Sequence, residues 1–216
     1  MDIKNILAER YKKYHRLIIE VESMLREGNQ SHGIDHSLMV AQYATLIAED
    51  ERVGELAWVS GVIHDVCHRG RSNSLKDLLD LVPPGEFSSG EMGMIFRAVI
   101  NHSKPNDPAD EPVTIVLKDA DRLANLGLLN IIRGGQHRPE LPAMIMGCFS
   151  LHPGSTFKKP LSCLDALHYN LEWEEMLRLP RAKVLGRQWF ALYRYLISTN
   201  EAQFREIGLD VWPPQE

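Results

Sequence analysis

Cysteine is scarce in this chain: Cys67, Cys148 and Cys163 are the only three among 216 residues, and no two form a CxxC pair. An odd count without paired spacing excludes a disulfide-stapled scaffold and fits reduced thiols in the cytoplasm. Long apolar runs are also missing. The opening segment MDIKNILAERYKKYHR is charged and amphipathic with no apolar signal core, and no later window reaches the length of a membrane span. A surplus of basic residues is lacking as well, since 24 Lys and Arg face 29 Asp and Glu for a net charge of −5. That balance argues against a nucleic-acid polymer as partner, yet leaves room for a small phosphorylated ligand. A bound cation and a few local bases can reverse the sign of a site inside an acidic protein. Period-two apolar alternation, internal repeats and low-complexity tracts are absent too, so no sheet is demanded. What is present, 44% hydrophobic and 25% charged residues, suits one well-buried cytoplasmic domain over 1–216.

Helical spacing accounts for most of the chain. Residues 2–27 carry Ile3, Ile6, Leu7, Tyr14, Leu17, Ile18, Val21 and Leu25 at intervals that predict one first helix, stopped at Gly28-Asn29. Further helices are predicted over 36–50, 53–67, 89–102, 110–132, 161–178 and 181–206, with a break available at Gly127. A shorter piece is expected at Leu75–Leu81, inside the loop that follows His64. The stretch 133–160, rich in glycine and proline, reads as irregular or as short helices, with Arg133-Gly134-Gly135 as a helix C-cap. The aromatic C-terminal helices, with Trp173, Trp189, Phe190 and Tyr193, either complete the core or pair two subunits into a homodimer.

Three of these segments carry polar groups where apolar ones belong. In SHGIDHSLMVAQYA, His36 shares a stripe with Val40, Ala44 and Ile47 and so points inward. In WVSGVIHDVCHRGR the doublet His64-Asp65 ends an apolar helix, with Ala57, Ser60 and Gly61 behind His64 leaving room beside it. In IVLKDADRLANLG, Asp119 and Asp121 lie on opposite faces of an apolar helix. Buried imidazoles and carboxylates without compensation cost kcal/mol each, and a divalent cation held by nitrogen and oxygen ligands compensates them. An ion that keeps open positions can also activate water and polarise a phosphoryl oxygen, which points to a hydrolase.

The ordered set of an isolated His36, the doublet His64-Asp65 and a later Asp121, within Ala120-Asp121-Arg122-Leu123, resembles the HD-domain metal-dependent phosphohydrolases, in particular their small single-domain branch. The doublet alone is a weak signal, whereas the three-part set in helical context is fairly specific. The resemblance covers about residues 30–130 as the metal-site core, with 160–206 as a helical extension. It implies an all-α HD-type helical bundle in which His36, His64, Asp65 and Asp121 hold a divalent ion. Mn, Co, Ni, Mg, Fe and Zn all suit that ligand set. It also selects Asp121 over Asp119, which periodicity alone leaves open.

The activity so implied is hydrolysis of a phosphomonoester or phosphoanhydride of a small metabolite, a nucleotide being the expected class. Asp65 helps hold the metal and orients the nucleophile. His102, in Ile100-Asn101-His102-Ser103, resembles the histidine after the corresponding helix and is expected to contact phosphate or protonate a leaving oxygen. Arg69 and Arg71 could clamp phosphate. His68 and Arg122 join them as substrate contacts, with Arg133, Gln136, His137 and Lys104 as weaker candidates. His68 and His102 are also the candidates for a second metal, although one ion is the simpler expectation. Each of these residues has a plainer reading as a capped, exposed or satisfied core residue, and Cys67 reads as a buried inert thiol. His32 suits a turn, and His15, His152 and His168 look structural or exposed. Two rival functions share the same residues: a nucleotide- or alarmone-binding protein without turnover, and a di-iron oxygenase, which needs more ligands than this set.

Overall fold

Gly61 decides how closely the central helices pack. A Cβ placed on it would lie 2.8 Å from the backbone nitrogen of Ala41 and 2.9 Å from its Cα, so the helix bearing Gly61 rests directly on the backbone of its neighbour. In the computed structural model, residues 2–26, 33–69 and 72–210 are described, with the side chains of 67–69, 72–74, 136 and 137 left aside. Of the residues singled out in the sequence, Gly28, Asn29, His32 and Arg71 lie outside the described residues, as do the side chains of Cys67, His68, Arg69, Gln136 and His137.

The elements are α1 (Ile3–Lys13), α2 (His15–Arg26), α3 (Ile34–Ile47), α4 (Glu51–Ile63), a 3₁₀ turn (His64–Arg69), α5 (Ser72–Leu79), α6 (Ser89–Asn101), α7 (Pro112–Ala124), α8 (Leu128–His137), α9 (Cys163–Met176) and α10 (Pro180–Glu206). No strand occurs among the described residues, and the protein is all-α. None of their helices is long and apolar enough to cross a membrane. The chain forms two compact units, Met1–Ala124 with Arg178–Ala182 and Asn125–Leu177 with Lys183–Glu216. The expected core over 30–130 falls in the first unit up to Ala124.

In the first unit α3 packs chiefly on α4 and α7, and the sequence explains each boundary. Asp50 caps α4 by accepting the N–H of Val53 at 2.8 Å. Ser88 and Glu91 close a capping box at the start of α6, a pairing that contributes about 1 kcal/mol. Arg52 reaches Glu91 at 2.6 Å and tethers α4 to that cap. The α3 stripe His36, Val40, Ala41, Ala44 and Ile47 is buried, as is nearly every residue of α4 from Leu56 onward.

One helix was expected over 2–27, and the structure breaks it at Tyr14. That residue leaves helical geometry at φ −106° and ψ 21°. Its ring is buried 5.4 Å from that of Trp58, and its hydroxyl donates to Glu55 at 2.9 Å. Tertiary packing therefore overrides a pattern that contains neither glycine nor proline.

The break expected at Gly127 falls near the start of the second unit. Gly127 adopts φ +85°, open to glycine at little cost, and the Trp189 ring lies 3.4 Å from where its Cβ would be. The reading of Gly134-Gly135 as a C-cap is corrected: α8 runs through both and ends at Arg138, whose N–H bonds the Gly134 carbonyl at 3.1 Å. Ser162 caps α9 through the N–H of Asp165.

Candidate metal centre

Four helices of the first unit deliver polar side chains to one place. His36 comes from the first turn of α3, His64 and Asp65 from the turn that ends α4, His102 from the end of α6, and Asp121 from the last turns of α7. His36, His64, Asp65 and His102 are all buried, and the Asp121 side chain is 24% exposed. His36 Nε2 lies 3.3 Å from Asp121 Oδ1 and 3.8 Å from Asp65 Oδ2. His64 Nε2 lies 3.4 Å from Asp65 Oδ1 and 3.8 Å from Asp121 Oδ1. The His64 ring stands 5.3 Å from that of His36 and 5.1 Å from that of His102.

Two of the imidazoles are aimed by the same local device. His64 sits at the C-cap of α4 with its Nδ1 2.7 Å from the Gly61 carbonyl. His102 sits at the C-cap of α6 with its Nδ1 2.6 Å from the Val99 carbonyl. A carbonyl only accepts, so each Nδ1 carries a proton, which leaves Nε2 as the ring atom able to bind a metal. His64 Nε2 is buried and has no hydrogen-bond partner. An orphaned group of this kind costs about 1–3 kcal/mol unless something fills its lone pair.

A divalent cation suits that lone pair. Ligand atoms about 2.1 Å from one ion stand ~3.0 Å apart at a right angle and ~3.4 Å apart in a tetrahedron, close to the separations found here. The atoms fall into two overlapping groups, His36–His64–Asp121 and His64–Asp65–His102, each with ligand atoms within 4.8 Å of one another. The charge states agree with metal binding. Burial pushes the His36 imidazole down, toward its neutral form, despite the nearby Asp121. For Asp121 burial works the other way, but the bond to His36 and the facing imidazoles hold the carboxyl well below the usual carboxylate range.

Asp119, on the opposite face of α7, has a different task. Its Oδ2 accepts the N–H groups of Arg178 and Leu179, both at 2.8 Å, and its Oδ1 lies 3.3 Å from Arg122. It pins the segment just before α10 onto α7. Arg122, named from the sequence as a substrate contact, gives its guanidinium to Asp119 and to Asn106 at 2.9 Å. Lys104 bonds its neighbour Asn101 at 2.8 Å. Gly61 does not make room beside His64, as its small size suggested; it admits the α3 backbone, and its carbonyl orients the imidazole. Sequence reading missed the paired carbonyls of Gly61 and Val99. The available signal was a histidine three residues beyond each, at a helix end. It also passed over Lys118, fully buried in α7, which bonds Asp110 at 2.8 Å and the Pro105 carbonyl at 2.8 Å, and which shapes the loop after His102.

This arrangement, four helices converging on a His/Asp cluster, defines a class. Residues 33–126 match the family described as HD domain. Solved structures agree on the fold. A protein from Lactobacillus plantarum aligns at a TM-score of 0.71 and 17% identity, covering 90% of this chain and 98% of that one. An HD-superfamily hydrolase from Bacillus thuringiensis aligns at 0.66 and 16%, covering 90% and 97%. Bacillus subtilis YpgQ, crystallised in complex with ADP, aligns at 0.61 and 16%, covering 88% and 97%. A comparison with curated proteins returned no match.

Proposed function

We propose that this protein is an HD-domain metal-dependent phosphohydrolase acting on a small phosphorylated metabolite of the nucleotide class. The observation that carries the reading is the buried, unpartnered Nε2 of His64, 3.4 Å from Asp65 and 3.8 Å from the same Asp121 oxygen that His36 approaches at 3.3 Å. His36, His64, Asp65 and Asp121 would hold the ion. When bound, a divalent cation there supplies acidified water and a positive charge for the phosphoryl oxygens. The chain's own groups prepare that chemistry. The Gly61 carbonyl fixes the His64 tautomer, so the ligand is in place before any ion arrives. Burial keeps His36 neutral, and Asp121 stays ionised. His102, oriented by Val99 and facing His64 edge-on, would exchange a proton with a leaving oxygen. Arg69 and Arg71 are proposed as phosphate clamps. The nucleotide class draws support from the ADP complex of YpgQ, a protein of similar fold.

The test is a panel of phosphorylated metabolites assayed against chelated protein reloaded with Mn, Co, Ni, Mg, Fe or Zn, measuring phosphate and pyrophosphate separately. Turnover is expected only with metal, and His64→Ala should fall below about 1% of it while keeping its helical circular dichroism, because lost ligands cost more than the 10- to 100-fold of their supporting groups. Activity that survives chelation, or survives in His64→Ala, would overturn the assignment. Tight nucleotide binding with no product would instead make this a ligand-binding protein, and two irons per chain would indicate oxidative chemistry.

A further inference from the structure

We propose that the second unit carries a binding site for a small molecule with an apolar body and a single anionic group, the body lying in a cavity formed by α8, α9 and α10 and the anion at Arg138. The cavity measures 570 Å³, within the roughly 300–1,000 Å³ typical of small-molecule sites. Its walls are apolar: Ile131, Leu141, Met144, Leu167, Trp173 and Phe204 all line it. Gly134 and Gly135 also line it, and a Cβ on either would meet nothing within 4 Å. The protein thus leaves empty a volume that ordinary side chains on α8 could occupy. Water gains little from such walls, because it needs two to four polar partners to be held.

Two polar groups that line the cavity, Arg138 and Asn200, remain largely unspent. Arg138 donates from Nη2 to the Lys158 carbonyl at 3.1 Å and has no acidic partner within ion-pair distance among the described residues. That single bond holds the guanidinium in place and leaves most of its donors available. Asn200 has only the thioether of Met144, at 3.6 Å, a weak acceptor. A guanidinium beside an apolar cavity favours a carboxylate or similar anion, because the low local polarity strengthens the charge-assisted bond while the apolar body gains from burial. A neutral apolar ligand would leave Arg138 unused, and a polyanion would leave the cavity walls uncovered. The inference does not rest on the phosphohydrolase reading, and none of His36, His64, Asp65, His102 and Asp121 lines the cavity.

Calorimetric titration of the full chain with octanoate and octanamide, and with 1-naphthylacetate and 1-naphthylacetamide, tests it. At least one acid should bind about tenfold more tightly than its amide. The two pairs distinguish an aliphatic from an aromatic body. Cys163 lines the cavity and Cys148 does not, so site-resolved alkylation should show ligand protection at Cys163 alone. Arg138→Gln should bring the acid down to the affinity of the amide. Equal binding of acid and amide, no binding of either below about 1 mM, or equal protection of Cys148 would overturn the proposal. If Arg138→Gln fails to fold, the acid-against-amide ratio in the unaltered chain still decides.

Discussion

The two units treat their interiors in opposite ways. The first fills its centre with polar groups, namely His36, His64, Asp65, His102, Lys118 and Asp119, all buried. His64 and His102 each bond a backbone carbonyl through Nδ1, Lys118 bonds Asp110, and Asp119 accepts from Arg178 and Leu179. The second leaves a hollow lined by apolar side chains. The glycines show the contrast most sharply. Gly61 of α4 has the α3 backbone against it, so hydrogen is the only side chain that fits, whereas Gly134 of α8 faces open space. Buried polar groups demand defined partners and so fix their surroundings, while apolar walls tolerate a gap at a modest energetic cost.

Three substitutions sharpen that comparison. Gly61→Ala should have the largest effect, about 3 kcal/mol of lost stability, because a Cβ 2.8 Å from Ala41 must push two helix backbones apart. Thermal or denaturant unfolding measures it, and a loss below the error of the method would show that α3 and α4 pack less closely than described. Asp119→Ala should cost about 2 kcal/mol, since the N–H groups of Arg178 and Leu179 lose their acceptor. The same unfolding curves report it, and an unchanged midpoint would deny Asp119 its structural role. Gly134→Ala should act in the opposite direction and stabilise by about 0.5–1 kcal/mol, because it removes glycine from a helix interior without meeting any atom. A destabilised Gly134→Ala would mean that the space beside α8 is already filled.

Much of the first unit was legible in the sequence. His36, His64, Asp65 and Asp121 stand out because ionisable residues interrupt apolar helical periodicity, and the structure brings all four together with His102. Gly127 was legible as a break for a backbone reason, its positive φ. The division at Tyr14 was not, because only the distant Trp58 and Glu55 make a bend there favourable. The path of α8 through Gly134-Gly135 was misread because glycine propensity is a weak local signal. The separate duties of Asp119 and Asp121, two residues apart on one helix, depend on what faces each side. For Asp119 that is the segment at Arg178, far away in the chain.

By itself the sequence determined an all-α chain and the candidate ligand types, since helical periodicity and the cost of burying charge are local properties of the residues. Only the tertiary structure decided which carbonyls aim the imidazoles, what Asp119 holds, and that a cavity opens beside α8. Each of those outcomes depends on distances between residues far apart in the chain, and spacing along a sequence carries no such distances.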